Sequence, residues 1–415
     1  MSDWNILLPT RHADTFTRDR LPPRDQWPVF KADLPILDYP HTLNVTTELV
    51  DAHVRDGRGN GPALHGMSQL DHQGGFTWTY RQLSEQVDRI AHVLTLDMKL
   101  VSGNRVLLRG GNSPMMAACL LACFKSGLVA VPTMPLLRSA ELATIIEKAQ
   151  VSAALCDQLL ADEMQHCMTP DHAHHTPMLK QCVMFRSDAT DGLERRMAQH
   201  TSPFQACPTS RDDVCLIAFT SGTTGKPKGT LHFHRDVLAM CDLFPREILK
   251  MSESDVVCGT PPIAFTFGLG GLLAFPLRFG ASSVLLEKHT PETLLTTIAQ
   301  YRATQCYTAP TLYRQMAVLA PQHDLSSLKH PVSAGEALPD ATRQMWQEAT
   351  GIVMTDGIGG TEVIHIYISS AGDQVRRGAI GRVVTGYEAQ IVDEDMRAVA
   401  PGTVGRLAEI GRAHV

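Results

Sequence analysis

From Thr77 onward the apolar residues fall into a regular rhythm. Leu83, Val87, Ile90, Ala91 and Leu94 recur at helical spacing, and a Gly103-Asn104 turn then introduces a short strand at 105–108. Residues 114–125 read as helix, 128–132 as strand, 140–149 as helix and 153–156 as strand. This alternation predicts a parallel sheet with helices on its faces. Residues 1–45 carry several prolines and no sustained period, and are expected to wrap over the body. Residues 160–212 are polar and His-rich, and read as an insertion or loop.

A second run opens with the apolar stretch 214–219, expected as a strand. Helix at 235–243, strand at 256–259, helix near 268–277 and strand at 283–286 follow. Helix 291–302, strand 305–308, helix 310–319 and strands 332–334 and 353–355 complete it. From Gly378 the pattern changes: 380–384 and 388–392, with a turn at 393–396, suggest the start of a β-rich piece. The expected organisation is α/β. A wrapping segment (1–45) precedes two doubly wound, parallel-type subdomains (46–212 and 213–377), then the β-rich start (378–408).

Composition narrows the classes. The chain has 415 residues, 44% hydrophobic and 19% charged, ordinary for a globular protein with large cores. A net charge of −6 gives no electrostatic case for nucleic acid or an anionic membrane as partner. The N-terminus lacks an apolar signal-peptide core. The longest apolar stretch, 115–132, is broken by Lys125 and Gly127 and reads as a buried helix running into a strand. Ten cysteines without a C-x-x-C pair suggest reduced thiols and a cytoplasmic setting. Cys167, His172, His174 and His175 have metal-ligand chemistry, but their irregular spacing and Pro170 favour a solvated loop.

Where the 214–219 strand ends, Thr220-Ser221-Gly222-Thr223-Thr224-Gly225-Lys226-Pro227-Lys228 follows. Hydroxyls and glycine amides can wrap an anion, and lysines supply countercharge. The stretch reads as a polyphosphate-binding loop, distinct from the G-x-x-x-x-G-K-[ST] loop because two residues separate Gly222 from Gly225. A flexible Gly/Thr surface turn is the alternative.

Further motifs line up behind it: 261–271 (PPIAFTFGLGG), 333–339 (SAGEALP), 356–362 (DGIGGTE) and 380–386 (IGRVVTG). In this order the five motifs make the chain resemble the adenylate-forming superfamily of acyl-CoA synthetases, luciferases and peptide-synthetase adenylation domains. Within it, the chain looks most like the benzoate and 2-aminobenzoate CoA ligases. The resemblance covers about residues 40–408.

The resemblance implies a two-step reaction. A carboxylate attacks the α-phosphorus of ATP, giving an acyl-adenylate and pyrophosphate, and coenzyme A thiol then displaces AMP. Thr220, Ser221, Gly222, Thr223, Thr224, Gly225, Lys226 and Lys228 would hold the β- and γ-phosphates and offset their charge. Gly335, Glu336, Ala337, Asp356, Gly357, Ile358 and Gly359 would complete the ATP site, with Thr361 bonding phosphate and Glu362 ligating Mg²⁺. Thr220, Lys226, Thr361 and Glu362 would carry the chemistry; alternatively, Glu362 is a helix-start carboxylate that only caps a dipole. Ile358 stands where the family often has a stacking Tyr, a change found in the benzoate-type branch. Thr266, Phe267, Gly335, Gly359, His365 and Ile366 would line the acyl pocket, a shape suited to a flat aryl acid. His365 would bond a carboxylate or ring substituent, or merely pack with its polar end satisfied. Phe265 and Phe267 serve equally well as core, and Met345 and Trp346 read as core. The partners implied are a small aromatic carboxylate, ATP and coenzyme A, with a homodimer allowed.

The family also has a ribose-binding Asp in a T-G-D segment and a small C-terminal domain bearing a lysine that contacts the adenylate. Neither is in this sequence. Residues 409–415 fit no family pattern and match a translated sequencing adapter. The expectation is therefore a truncated gene model that binds ATP weakly and makes little thioester. The other readings are a medium-chain acyl-CoA synthetase, against which the bulk of Phe267 and DGIGGTE weigh, a non-catalytic ATP- or acyl-binding fragment, and a peptide-synthetase domain. No Asp near 264–268 offers an ammonium partner for that last reading.

Overall fold

The computed structural model describes residues 4–27, 30, 34–66, 75–220 and 227–409. Two large sheets form the body. The smaller has six strands in the order Gln181–Phe185, Ala153–Asp157, Arg105–Arg109, Val129–Thr133, Val214–Thr220 and Lys228–Phe233. The larger has nine, in the order Arg382–Val383, Ile366–Ser370, Thr355–Gly359, His330–Ser333, Gln305–Thr308, Val256–Gly259, Ser282–Leu285, Pro62–Gly66 and Phe76–Thr79. A two-stranded ribbon, Ala389–Val392 with Arg406–Glu409, follows.

Local chemistry explains the regular part. Thr79 and Gln82 exchange side-chain and backbone bonds and start the helix Tyr80–His92, whose inward face buries Leu83, Val87, Ile90 and Ala91. Ser113 caps Pro114–Lys125, and Pro114 occupies the first turn, where its missing N–H costs nothing. The central strands are buried on both faces, as parallel strands between helices must be. The largest apolar core joins both sheets, and two more cover their far faces. The N-terminal segment is tied down by Leu8 and Thr10 bonding Asp212 and Asp213, and by the Arg235 guanidinium over Trp4.

The structure departs from the sequence reading in five places. Residues 160–212 are not a bare loop: they hold the helices Ala161–Met168 and Leu193–Met197 and the edge strand Gln181–Phe185. That strand is short, and polar residues precede it. The sheets are mixed, because Lys228–Phe233, Ile366–Ser370 and Phe76–Thr79 each pair antiparallel with the strand that precedes them in the chain. The strand expected at 353–355 begins at Thr355 and runs through Gly359, so the DGIG residues are themselves strand. Finally, the boundary expected at 212/213 does not separate the sheets. Strands Pro62–Gly66 and Phe76–Thr79 belong to the larger sheet, and Val214–Thr220 and Lys228–Phe233 to the smaller. The last strand also runs to Glu409, one residue past the boundary expected at 408.

Two polar stitches join the halves where the parallel strands end. Arg186 pairs with Asp157 of its own sheet and Glu287 behind the other. Asn112 bonds the backbone of Pro261 and Ile263.

Candidate functional site

Neighbouring parallel strands of the larger sheet, His330–Ser333 and Thr355–Gly359, open onto a cavity of about 490 Å³. Gly335, Glu336 and Ala337 form one wall, and Asp356, Gly357, Ile358 and Gly359 the other. All seven residues assigned to this side of the ATP site therefore border one space. Gly335 turns the chain at φ +89, a conformation that favours glycine, while nothing lies within 4 Å of an added Cβ. Asp356 accepts from its neighbour's amide, Gly357 N, at 3.0 Å and faces Arg343 at 3.5 Å. Burial raises its carboxyl, and Arg343 only partly opposes that.

Beyond Gly359 the chain turns through Thr361, which is buried, and Glu362, which is half-buried, before Ile366–Ser370 returns. The ladder slips between Ile358 and Gly359, and Ile364 stands at φ +65. A β-branched residue in that region is strained, and such strain gathers at functional turns. Glu362 lies beside Glu409, whose carboxyl is pushed up to about 7 by burial and by the charge of Glu362. Among the described residues no group of three or more His, Cys, Asp or Glu could hold a metal. A cation at Glu362 would need phosphate oxygens as its other ligands, which is how magnesium is commonly held.

The phosphate-loop reading receives a frame but not its centre. Strands Val214–Thr220 and Lys228–Phe233 form an antiparallel hairpin in which Thr220 pairs with Lys228. The hairpin therefore sets the two ends of the loop opposite each other. Lys148 donates to the Pro227 carbonyl at 3.1 Å. Ser221, Gly222, Thr223, Thr224, Gly225 and Lys226 lie outside the described residues.

The acyl side is built differently. The His365 ring sits among three phenylalanines: Phe275 at 4.5 Å between centroids, Phe267 at 5.6 Å and Phe244 at 5.7 Å. Its Nε2 lies 3.2 Å from the Phe267 carbonyl, so Nε2 carries the hydrogen and donates it. Burial pushes its pKa down to about 3, and that one bond to a carbonyl opposes the shift only partly. His365 is neutral near pH 7. Gly270 makes room for it, since an added Cβ would lie 2.3 Å from its Cδ2. Gly359 pairs with Ile366 across the hairpin and also borders the 335–337/356–359 cavity. The structure thus brings Phe267, Gly359, His365 and Ile366 together, with Thr266 buried beside Phe267. Gly335 borders that same cavity. Phe265 is 36% exposed and is not core, whereas Trp346 is fully buried.

Sequence reasoning missed Phe244, Phe275, Gly270 and Asn112. Phe244 and Phe275 carry no local signal; they meet His365 only through the fold. Cys167 is not in a solvated loop: it is buried in helix Ala161–Met168 with its thiol on the Ser139 carbonyl, while His172 stacks on His166 at 4.3 Å. Among the described residues no helix is long and apolar enough to cross a membrane.

Comparison with known proteins places this architecture. The family model described as "AMP-binding enzyme" matches residues 52–413. The benzoate–CoA ligase of Thauera aromatica is 31% identical over 377 residues, covering 90% of this chain and 69% of that protein. The anthranilate–CoA ligase of Pseudomonas aeruginosa is 32% identical over 304 residues, covering 71% and 56% respectively. The solved anthranilate CoA ligase AuaEII, in complex with anthranoyl-AMP, superposes with a TM-score of 0.83 at 30% identity. It matches 92% of this chain and 73% of its own. A benzoate CoA ligase from Burkholderia xenovorans LB400 superposes with a TM-score of 0.77 at 26% identity, matching 88% of this chain and 70% of its own.

Proposed function

This chain belongs to the AMP-binding enzyme family, and from that premise we propose that it activates a small aromatic carboxylic acid with ATP for transfer to coenzyme A. In the first step a carboxylate oxygen bonds to the α-phosphorus, the bond to the bridging oxygen breaks, and pyrophosphate leaves. In the second, the coenzyme A thiol displaces AMP from the acyl carbon, giving a thioester.

The observation that carries the aryl reading is the buried wall around His365. Phe267 is the half-buried ring that an acid could meet, Phe275 and Phe244 back it and His365 from the core, and Gly359 connects this wall to the nucleotide cavity. A flat aryl ring gains edge and stacking contacts there that an alkyl chain does not. The imidazole is neutral, so it orients the acid by dipole and shape, and an amino-acid ammonium finds no carboxylate in that aromatic wall. On the nucleotide side, Gly335 to Ala337 and Asp356 to Gly359 hold the base largely through backbone. Thr220 and Lys228, paired across their hairpin, flank the segment whose Lys226 would offset phosphate charge. Thr361 bonds phosphate, and Glu362 is the Mg²⁺ ligand. When bound, that ion neutralises phosphate charge as pyrophosphate forms. Desolvation then strengthens every charge contact around the reacting carboxylate.

The medium-chain acyl alternative shares the nucleotide site and differs only at the wall. We propose a cytoplasmic setting, which the free thiols of all ten cysteines support.

The adenylation step is tested by trapping. Benzoate, 2-aminobenzoate and octanoate are each incubated with ATP and hydroxylamine, which intercepts an acyl-adenylate as its hydroxamate. Benzohydroxamate in excess over octanohydroxamate supports the proposal; octanohydroxamate alone points to the medium-chain reading.

A further inference from the structure

Asn112 belongs to the smaller sheet's half of the molecule, between strand Arg105–Arg109 and helix Pro114–Lys125. Its amide reaches across to the other half. Nδ2 donates to the Pro261 carbonyl at 3.0 Å, and Oδ1 accepts from the Ile263 amide at 2.8 Å. The side chain is 5% exposed. It pairs with that segment much as a neighbouring backbone would, one donor and one acceptor at once.

The segment it holds has few other means of being held. Neither Pro261 nor Pro262 has an N–H, so Ile263 is the first amide donor after Thr260. The Pro262 carbonyl accepts from Phe265 at 2.9 Å, and an added Cβ at Gly268 would lie 2.1 Å from the same oxygen. A shift of Pro261 to Ile263 therefore passes directly into the turn that carries Phe267. The Phe267 carbonyl in turn holds the His365 ring.

We propose that Asn112 is a positioning residue for the acid-binding wall: it fixes the height of the 261–267 segment, and through Phe267 the place of His365, without contributing to nucleotide binding. The inference rests on the reading of that wall as the acid site. Asparagine suits the task because its amide supplies a donor and an acceptor on two separate atoms, which can bond two backbone groups at once. Asn112→Asp keeps the shape and the bond from Ile263 but sets a carboxylate oxygen against the Pro261 carbonyl. Asn112→Ala removes both bonds.

The test compares dissociation constants for ATP, benzoyl-sulfamoyl-adenosine and octanoyl-sulfamoyl-adenosine on wild type and both variants. The expected result is about a tenfold loss, for either substitution, of affinity for whichever acyl analogue the wild type binds best, the scale of a buried polar group left unpaired. ATP affinity changes by less than about twofold. Between about pH 8 and pH 5.5 the Asn112→Asp variant recovers acyl affinity relative to wild type, because a protonated carboxyl again donates to Pro261; Asn112→Ala does not recover. Unchanged acyl affinity, or parallel losses for ATP and acyl analogue, overturns the proposal. A wild type that prefers the octanoyl analogue overturns the aryl reading instead, while the ratio of losses still reads Asn112.

Discussion

The two walls that meet at Gly359 are made of different material. The nucleotide wall is an open cavity lined by four glycines and strand backbone, with Glu336, Arg343 and Asp356 among its polar side chains. The acid wall is buried side chain: three phenylalanine rings around an imidazole pressed against Gly270. Backbone recognition depends on chain path and survives changes of side chain. Side-chain recognition depends on packing, where a single added carbon is felt. The nucleotide wall is therefore the part suited to being shared among different acids, and the acid wall the part suited to choosing between them.

The largest effect that would sharpen this contrast is on neither wall but between them. Glu362→Gln is expected to lower ATP–pyrophosphate exchange by about a thousandfold, the several kcal/mol that a metal ligand's charge supports in phosphoryl chemistry. The KM for the acid should stay nearly constant. Steady-state exchange kinetics measure both, and a loss under tenfold would remove Glu362 from the metal role.

Gly270→Ala comes next. Its new Cβ would lie 2.3 Å from His365 Cδ2 and 2.9 Å from the Phe275 ring, with little room for either to yield. Overpacking of this kind costs about 1–3 kcal/mol. The acid KM should rise about tenfold while the ATP KM holds. Equal rises in both would show that the walls are not separable.

Acid should weaken the His365 side of the fold. Its folded pKa lies at about 3, below the ordinary 6.5, so between those values the unfolded chain binds the proton and the folded one does not. The stability tied to neutral His365 is complete above about pH 6.5 and is lost progressively as pH falls toward 3. Buried His234, also pushed down to about 3, and His12 act in the same direction. Asp356, with its carboxyl raised by burial, acts in the opposite sense: its contribution is largest at low pH and declines as pH rises through its folded value. Unfolding midpoints in denaturant, measured from pH 7.5 to 4.5, should fall. Replacing His365 with Phe should flatten the slope, and an unchanged slope would contradict its neutral burial.

The smallest effect tests the open wall. Ile358→Tyr restores the stacking ring that relatives of other branches often carry. A ring stack is worth about 0.5–1.5 kcal/mol, so ATP affinity should rise about threefold with acid preference unchanged. A loss of ATP affinity would show that the cavity has no room beside Ile358.

How much of this was legible in the sequence follows the same divide. The helices starting at Pro114, Pro291 and Pro310 announce themselves, because proline at a first helical turn follows directly from its missing N–H. The nucleotide wall is contiguous in sequence, 335–337 and 356–359, so its motif and its geometry coincide. The acid wall is not. Gly270 and Phe275 share the 269–279 helical run, but Phe244 and His365 are distant from it in the chain and meet it only through the fold. The antiparallel return strands Lys228–Phe233 and Ile366–Ser370 were hidden for another reason: each directly follows a motif whose glycines and hydroxyls read as loop. Strand Gln181–Phe185 lay behind the His-rich turn at 172–175, whose polarity masked five residues of edge strand.

The central claim is that the aromatic wall, and not the nucleotide cavity, selects the acid. ATP–pyrophosphate exchange with benzoate and with octanoate, each over a full concentration range, tests it most directly. A kcat/KM for benzoate at least tenfold above that for octanoate, with one shared KM for ATP, is the result expected. Octanoate equal to or better than benzoate would contradict it.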